Sequence, residues 1–313
     1  MTLKPFISII TPAFNEEKSL SIFYQRLFGV LNSLHINYEW MVVDDHSNDS
    51  TYTVLKNIAD KDKNVHAVRL SRNHGSHKAI TAGLHLATGD CAIVMATDLQ
   101  DPPEIIPKLI DKWKSGFQIV WAVRSNREGE TNVTKSLSRF YYWLMKRVVG
   151  VEELPSTGAD FFLIDRKVID ALKLFKESNV SIFSLLAWMG FNQESIFYVK
   201  QARMHGKSGW TFRKKMKLVI DSITSFSHFP IRLMTYIGFI AAFSGFVYAL
   251  FVIYNFVLGQ PDSGWSSLMV VVLILGGFQL IMAGILGEYL WRAVDESRRR
   301  PQFLIESSTE KDK

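Results

Sequence analysis

Residues 91–104 read Cys91-Ala92-Ile93-Val94-Met95-Ala96-Thr97-Asp98-Leu99-Gln100-Asp101-Pro102-Pro103-Glu104, an apolar run that passes without a break into carboxylates, an amide and a proline pair. A short apolar run of this kind is a buried strand, and Pro102, Pro103 and Glu104 open the helix behind it. In an open α/β sheet, ligands bind beyond the carboxyl ends of the strands, so acidic groups there suit a bound cation or ribose better than a core. Asp98 taken by itself has a simpler alternative, because an Asp ahead of a Pro-led helix is an ordinary cap. The other strand tips decide between these two readings.

Working outward, Phe6–Thr11, Trp40–Val43, His66–Leu70, Cys91–Met95 and Ile119–Ala122 read as strands. Glu17–Leu34, Ser50–Asp60, His77–Ala87 and Glu104–Lys114 read as helices, with Ser50 opening one and Gly116 closing another. Strand and helix taking turns predict an α/β fold with a mostly parallel sheet covered on both faces. The first strand ends in Thr11-Pro12-Ala13-Phe14-Asn15-Glu16-Glu17 and the second in Val43-Asp44-Asp45-His46-Ser47-Asn48-Asp49, at the same edge as Asp98. One acidic tip is compatible with a cap; three converging tips make a site. Asp45, ahead of Ser47, Asn48 and Asp49, can also simply hold a turn.

Hydrophobic residues make up 48% of the 313 positions and charged residues 21%, which predicts a soluble part joined to a membrane part. Leu233–Leu258 and Trp265–Gly287 contain no charged residue, and each is longer than the roughly 20 residues that cross a bilayer. Two transmembrane helices are expected, a buried hairpin being the alternative. Arg213, Lys214, Lys215, Lys217 and Arg232 precede the first run and Arg292, Arg298, Arg299 and Arg300 follow the second, whereas the 259–264 link has neither Lys nor Arg. The positive-inside rule then puts both ends and the soluble part in the cytoplasm, on an inner cell membrane. Attraction to anionic lipid explains the net charge of +6, and no nucleic-acid partner is expected. The lone Cys91 excludes an internal disulfide, and His74 and His77 lack a third partner at zinc-ligand spacing.

The expected organisation is a catalytic domain over 1–209, an amphipathic juxtamembrane segment over 210–231, spans over 232–258 and 265–291 around an external loop at 259–264, and a basic, then disordered, tail over 292–313. Phe140–Val149 is a further amphipathic stretch, either lying on the membrane or packed as an ordinary helix.

From Ile7 to Arg300 the chain resembles the family-2 inverting glycosyltransferases of the GT-A fold, and among them the polyisoprenyl-phosphate sugar transferases. The resemblance implies a nucleotide-sugar pocket of Pro12, Asn15, Glu16, Asp44, Arg72, Asp98 and Gln100, with Asp44 meeting the base and Arg72 closing over the nucleotide. It implies Mg²⁺ or Mn²⁺ held by Asp98, with Gln100 as a possible further ligand, although Ala96 stands where the family's first metal-binding Asp is usual. Asp160, in Ser156-Thr157-Gly158-Ala159-Asp160, takes the catalytic place at the acceptor side, and Arg203 joins it from the loop Arg203-Met204-His205-Gly206-Lys207-Ser208. Phe162 stands where the family often has Arg, which shifts the phosphate contact to Arg124, Arg127, Arg203 or Lys207. The implied reaction moves a hexose, such as glucose from UDP-glucose, to a polyprenyl phosphate such as undecaprenyl phosphate, with inversion; a homo-oligomer is possible. Two rivals stay open: a transferase to diacylglycerol or a polysaccharide, and a non-catalytic scaffold.

Overall fold

The computed structural model describes residues 4–125, 145, 147, 155, 160–177, 180–201, 221, 223–224, 227–258 and 264–309. Strands β1 (Phe6–Ala13), β2 (Asn37–Asp44), β3 (Val65–Leu70) and β4 (Cys91–Val94) alternate with helices α1 (Leu20–Leu34), α2 (Thr51–Ala59) and α3 (Ser76–Leu86). A 3₁₀ turn at Pro103–Ile105 leads into α4 (Ile106–Lys114), then come β5 (Ile119–Arg124), β6 (Phe161–Asp165), α5 (Arg166–Leu172), α6 (Ile182–Trp188) and β7 (Gln193–Tyr198). Two long helices, α7 (Phe229–Val257) and α8 (Trp265–Ser297), precede a last strand, β8 (Ile305–Ser308).

The eight strands form one sheet in the order β7-β5-β6-β4-β1-β2-β3-β8. β4, β1, β2 and β3 are parallel, as the alternation predicts. β6 breaks the pattern, lying antiparallel between β4 and β5, while β7 is parallel to β5. Because β6 runs backwards, its beginning lies at the edge where β1, β2, β4, β5 and β7 end.

Side-chain alternation along each strand feeds two cores. On one face Leu20, Phe23, Leu27 and Leu31 of α1, Leu55 of α2 and Ile106 and Leu109 of α4 cover Ile7, Ile9, Val42 and Ile93. Opposite them, Ala79, Ile80 and Leu84 of α3, Val168 and Ile169 of α5 and Leu185 and Leu186 of α6 cover Ile10, Val43 and Val94. Gly83 lets α3 come close, since a Cβ there would sit 2.3 Å from Ile10 Cγ2. Ser50 takes the N-cap position of α2 without a capping bond from its hydroxyl, and Gly116, at φ +102°, ends α4.

Helices α7 and α8 pack against each other and bury no core, with Phe239 77%, Tyr236 67% and Leu280 76% exposed. Phe229–Asn255 and Ser267–Ser297, at mean hydropathies of 2.1 and 2.5, are long and apolar enough to cross a membrane. Glu288 pairs with Arg292 one turn later, as their spacing predicts, and Arg292 also meets Asp221 at 2.6 Å. The expectation of a disordered tail is wrong for its first part: β8 pairs antiparallel with β3. Backbone hydrogen bonding along an otherwise open sheet edge orders a segment whose own composition is polar.

Candidate active site

The shared strand edge gathers one loop or tip from each of six strands around a cavity of ≈360 Å³. β1 brings Pro12, Ala13, Phe14 and Glu16; β2 brings Asp45; β4 brings Ala96, Thr97, Asp98, Gln100 and Asp101. Arg124 closes β5, Asp160 stands just before β6, and Lys200 follows β7; Ser76, Ile80, Val94, Met95 and Phe183 complete the wall. Six predicted residues therefore meet here: Pro12, Glu16, Asp98, Gln100, Arg124 and Asp160.

At the β2 and β4 tips, backbone N–H groups hold two of the acidic side chains. Asp45 accepts the backbone N–H of His74 at 2.7 Å and of Gly75 at 2.8 Å. Burial pushes the Asp45 carboxyl above its ordinary range, and those two N–H groups restrain the rise. Asp98 accepts the backbone N–H of Gln100 at 3.1 Å. It does not cap the following helix, whose N-cap position is Pro102, so the capping alternative falls. Asp45 holds a turn, as one reading expected, and lines the cavity as well.

Asp44 is placed otherwise than expected. It is fully buried, accepts the N–H of Ser47 at 3.1 Å and stands 3.8 Å from Arg69 Nε, and it does not line the cavity. Successive side chains on a strand face opposite ways, so Asp44 shares the α2 face with Val42 while Asp45 turns to the α3 side. Asn15 ties the loops together: its N–H donates to Ser47 Oγ at 2.9 Å and its Oδ1 accepts from Asn48 N at 2.9 Å. Arg72 is exposed and is not part of the cavity wall.

At the β5–β7 end, carboxylates are paired with cations. Arg124 Nη2 lies 2.5 Å from Asp160 Oδ2. Burial opposes the Arg124 charge most strongly of any single cause, but Asp160, Asp101 and Tyr198 together outweigh it and raise the pKa of the guanidinium. Asp101, 0% exposed, accepts the Tyr198 hydroxyl proton on Oδ1, with Lys200 Nζ 3.6 Å away, while Oδ2 has no hydrogen-bond partner among the described residues. Burial raises the Asp101 pKa and Lys200 opposes the rise. Asp101 and Lys200 were not singled out by the sequence as site residues; the signal available was an acidic residue at the same strand tip for one, and nothing local for the other. Phe162 is a core residue, its ring 5.3 Å from Trp121 and 5.9 Å from Phe183. Arg127, Arg203 and Lys207, with most of the 210–231 segment and of the Phe140–Val149 stretch, lie outside the described residues.

Among the described residues no three His, Cys, Asp or Glu side chains form a metal cage. The donors on the β4 tip are nevertheless oxygens only: Asp98, the Gln100 carbonyl and the unpartnered Asp101 Oδ2. Gln100 Nε2 already donates to Gln201 O at 3.4 Å, which commits the nitrogen and not the oxygen. That chemistry fits a hard divalent cation that keeps several non-protein ligands. The Cys91 thiol, buried and raised in pKa by that burial, is an inert core group.

A mixed, largely parallel sheet with its ligand cavity at the β1, β2 and β4 tips is the architecture of a GT-A glycosyltransferase. The chain belongs to glycosyl transferase family 2, whose domain matches residues 8–173. It is 38% identical over 302 residues to "Uncharacterized glycosyltransferase YkcC" of Bacillus subtilis (strain 168), covering 96% of this chain and 93% of that protein. It is 36% identical over 306 residues to "Bactoprenol glucosyl transferase" of Shigella phage SfV, covering 97% of this chain and 99% of that one. Among solved structures, mannosyl-3-phosphoglycerate synthase from Rubrobacter xylanophilus shares the fold at a TM-score of 0.51 and 17% identity, over 70% of this chain and 72% of that one.

Proposed function

We propose that this glycosyltransferase moves a hexose, glucose in the first instance, from a UDP-sugar to a polyprenyl phosphate at the cytoplasmic face of a cell membrane, inverting the anomeric centre. The observation that carries the reading is a single cavity at the strand tips that brings the carboxylates Asp45 and Asp98 together with the cations Arg124 and Lys200. Full-length similarity to a protein named bactoprenol glucosyl transferase supports the lipid acceptor, as do α7 and α8.

A ribose and a base donate hydrogen bonds to carboxylate acceptors such as Asp45 and Asp98, which backbone N–H groups hold in place. We assign the base contact to Asp45 in place of Asp44, and to Asp98 the divalent cation, Mg²⁺ or Mn²⁺. A bound cation there offsets charge on the donor diphosphate. Arg124 and Lys200 hold phosphoryl oxygens at the other end. A phosphomonoester has its second pKa at about 6, so the lipid phosphate arrives as an oxyanion with no proton to give up. Its oxygen forms the new bond to sugar C1 as the bond from C1 to the diphosphate breaks, and UDP leaves with that electron pair. Asp160 then orients Arg124, holding it until an anionic ligand competes for it.

Membrane placement follows from physical necessity, since a long isoprenoid leaves the bilayer only at great cost. Arg298 stacks 5.3 Å from the Trp291 ring at the end of α8, a cationic and aromatic pairing suited to the headgroup layer. Incubation of the detergent-purified protein with UDP-glucose and undecaprenyl phosphate is expected to give lipid-linked glucose, read by mass spectrometry. Release of UDP by slow hydrolysis alone, with no glycolipid, overturns the acceptor assignment.

A further inference from the structure

After α8 the chain returns to the catalytic domain and docks along the outer edge of β3, with Arg69 opposite Ser307 and Val68 opposite Ser308. Ser71 N donates to Leu304 O and Thr309 N to Ala67 O, each at 2.9 Å. Upstream, Gln302 Nε2 donates to Phe175 O at 3.1 Å and the Phe303 ring meets His85 edge-on at 5.6 Å. An edge strand often serves only to cover unpaired backbone. This one also delivers a carboxylate to the loop beside the cavity.

Glu306 Oε2 lies 3.0 Å from Arg69 Nε and 3.3 Å from His46 Nδ1. Arg69 in turn reaches back to β2: its Nε is 3.8 Å from buried Asp44 and its Nη2 donates to Ser47 O at 3.3 Å. Its guanidinium stacks over the Tyr52 ring at 5.3 Å, and the Tyr52 hydroxyl accepts from Ser307 Oγ at 2.8 Å. Asp44, His46 and Ser47 flank Asp45, which lines the cavity. His46 stands at φ 59°, a left-handed conformation that a non-glycine residue keeps only when its surroundings hold it there. Its Nδ1 is also 3.0 Å from Leu70 O, so the ring is fixed between β3 and β8.

We propose that Glu306 is a positioning residue for the donor site: through Arg69 and His46 the C-terminal strand sets the 44–47 loop and hence the Asp45 carboxylate. This rests on the reading that the cavity binds a nucleotide. Without Glu306, Arg69 keeps Asp44 as its carboxylate partner, and closing that gap draws the β2 tip off its position. The segment after the second apolar helix is thereby part of the donor site and not a trailing end.

The test is calorimetric titration of the full-length, detergent-purified protein with UDP, alongside steady-state transfer kinetics. Glu306→Gln is expected to weaken UDP binding about three- to fivefold, the scale of a half-exposed ion pair, and to raise the donor KM by the same factor with kcat unchanged. Glu306→Asp restores part of the loss, and the melting temperature stays near that of the wild type. UDP affinity left unchanged by Glu306→Gln overturns the positioning role, as does a lowered melting temperature without an affinity change. A wild-type protein that does not bind UDP overturns the nucleotide reading itself, and the positioning role with it.

Discussion

The two ends of the cavity are built from the same carboxylate chemistry but held by different groups, backbone N–H at Asp45 and Asp98 and cationic side chains at Asp160 and Asp101. Asp45 and Asp98 take backbone N–H groups as donors, which fix the side chains in place. Asp160 and Asp101 instead face Arg124 at 2.5 Å and Lys200 at 3.6 Å, so charge is already matched within the protein. Carboxylates fixed by backbone N–H groups still offer lone pairs to hydrogen-bond donors and cations. An end of matched pairs receives an anion by exchange, the incoming phosphate taking over a cation that a carboxylate had held. On the proposed function, the nucleotide end is fixed by backbone hydrogen bonds and the phosphate end is guarded by ion pairs.

The sharpest way to break this contrast is at Asp98. On the proposed assignment, Asp98→Ala removes the carboxylate that would hold the cation and is expected to lower transfer about 10³-fold, the scale of losing a principal electrostatic stabiliser. Titration of the variant with UDP and Mn²⁺ checks the origin of the loss: metal-assisted UDP affinity should disappear while the fold, read by circular dichroism, persists. Equal UDP affinity with and without Mn²⁺ in the wild-type protein contradicts the assignment.

At the guarded end a smaller effect is expected. Asp160→Asn leaves Arg124 without its charged partner and so ready for phosphate, and a phosphate nucleophile needs no base. Transfer should fall no more than about tenfold, below the 10²–10⁴ that a lost general base costs, and the KM for the lipid phosphate should not rise. Abolished transfer instead identifies Asp160 as a base and points to a hydroxyl acceptor such as diacylglycerol.

Asp98, Arg124 and Asp160 were legible in the sequence as site residues, Asp45, Asp101 and Lys200 were not, and the limits are physical. The alternation of strands and helices specified β1 to β5 and α1 to α4 because each buries a periodic face. β6 is equally apolar, yet its antiparallel insertion between β4 and β5 depends on pairing across distant segments, which local pattern does not encode. β8 escaped notice because an edge strand with exposed residues shows no clean alternation. Asp44 and Asp45 illustrate a similar limit within two positions: period-two alternation says they face opposite ways, but which face holds the ligand is decided by where α2 and α3 pack. Lys200 reaches the site only because β7 lies parallel beside β5.

Asp45 offers the finest test of the nucleotide end, and its pH dependence follows from the cause of its shift. Burial raises its pKa above the ordinary value near 3.8, despite the N–H groups of His74 and Gly75. Raised in the folded protein, the group binds its proton before an unfolded-chain Asp does. Folding stability attributable to it therefore falls as pH rises through that window, while its capacity as a charged acceptor grows. UDP affinity should accordingly weaken on acidification at a higher pH than an ordinary carboxylate would dictate. Asp45→Asn keeps the shape but turns an amide nitrogen toward one of the two backbone donors, so it should cost about fivefold in UDP affinity, near 1 kcal/mol for one neutral hydrogen bond. The variant should also lose the acid limb. A titration series with UDP from neutral to mildly acid pH checks both; an acid limb of the same size in Asp45→Asn moves the base contact to another carboxylate and leaves Asp45 only as the holder of the His74–Gly75 turn.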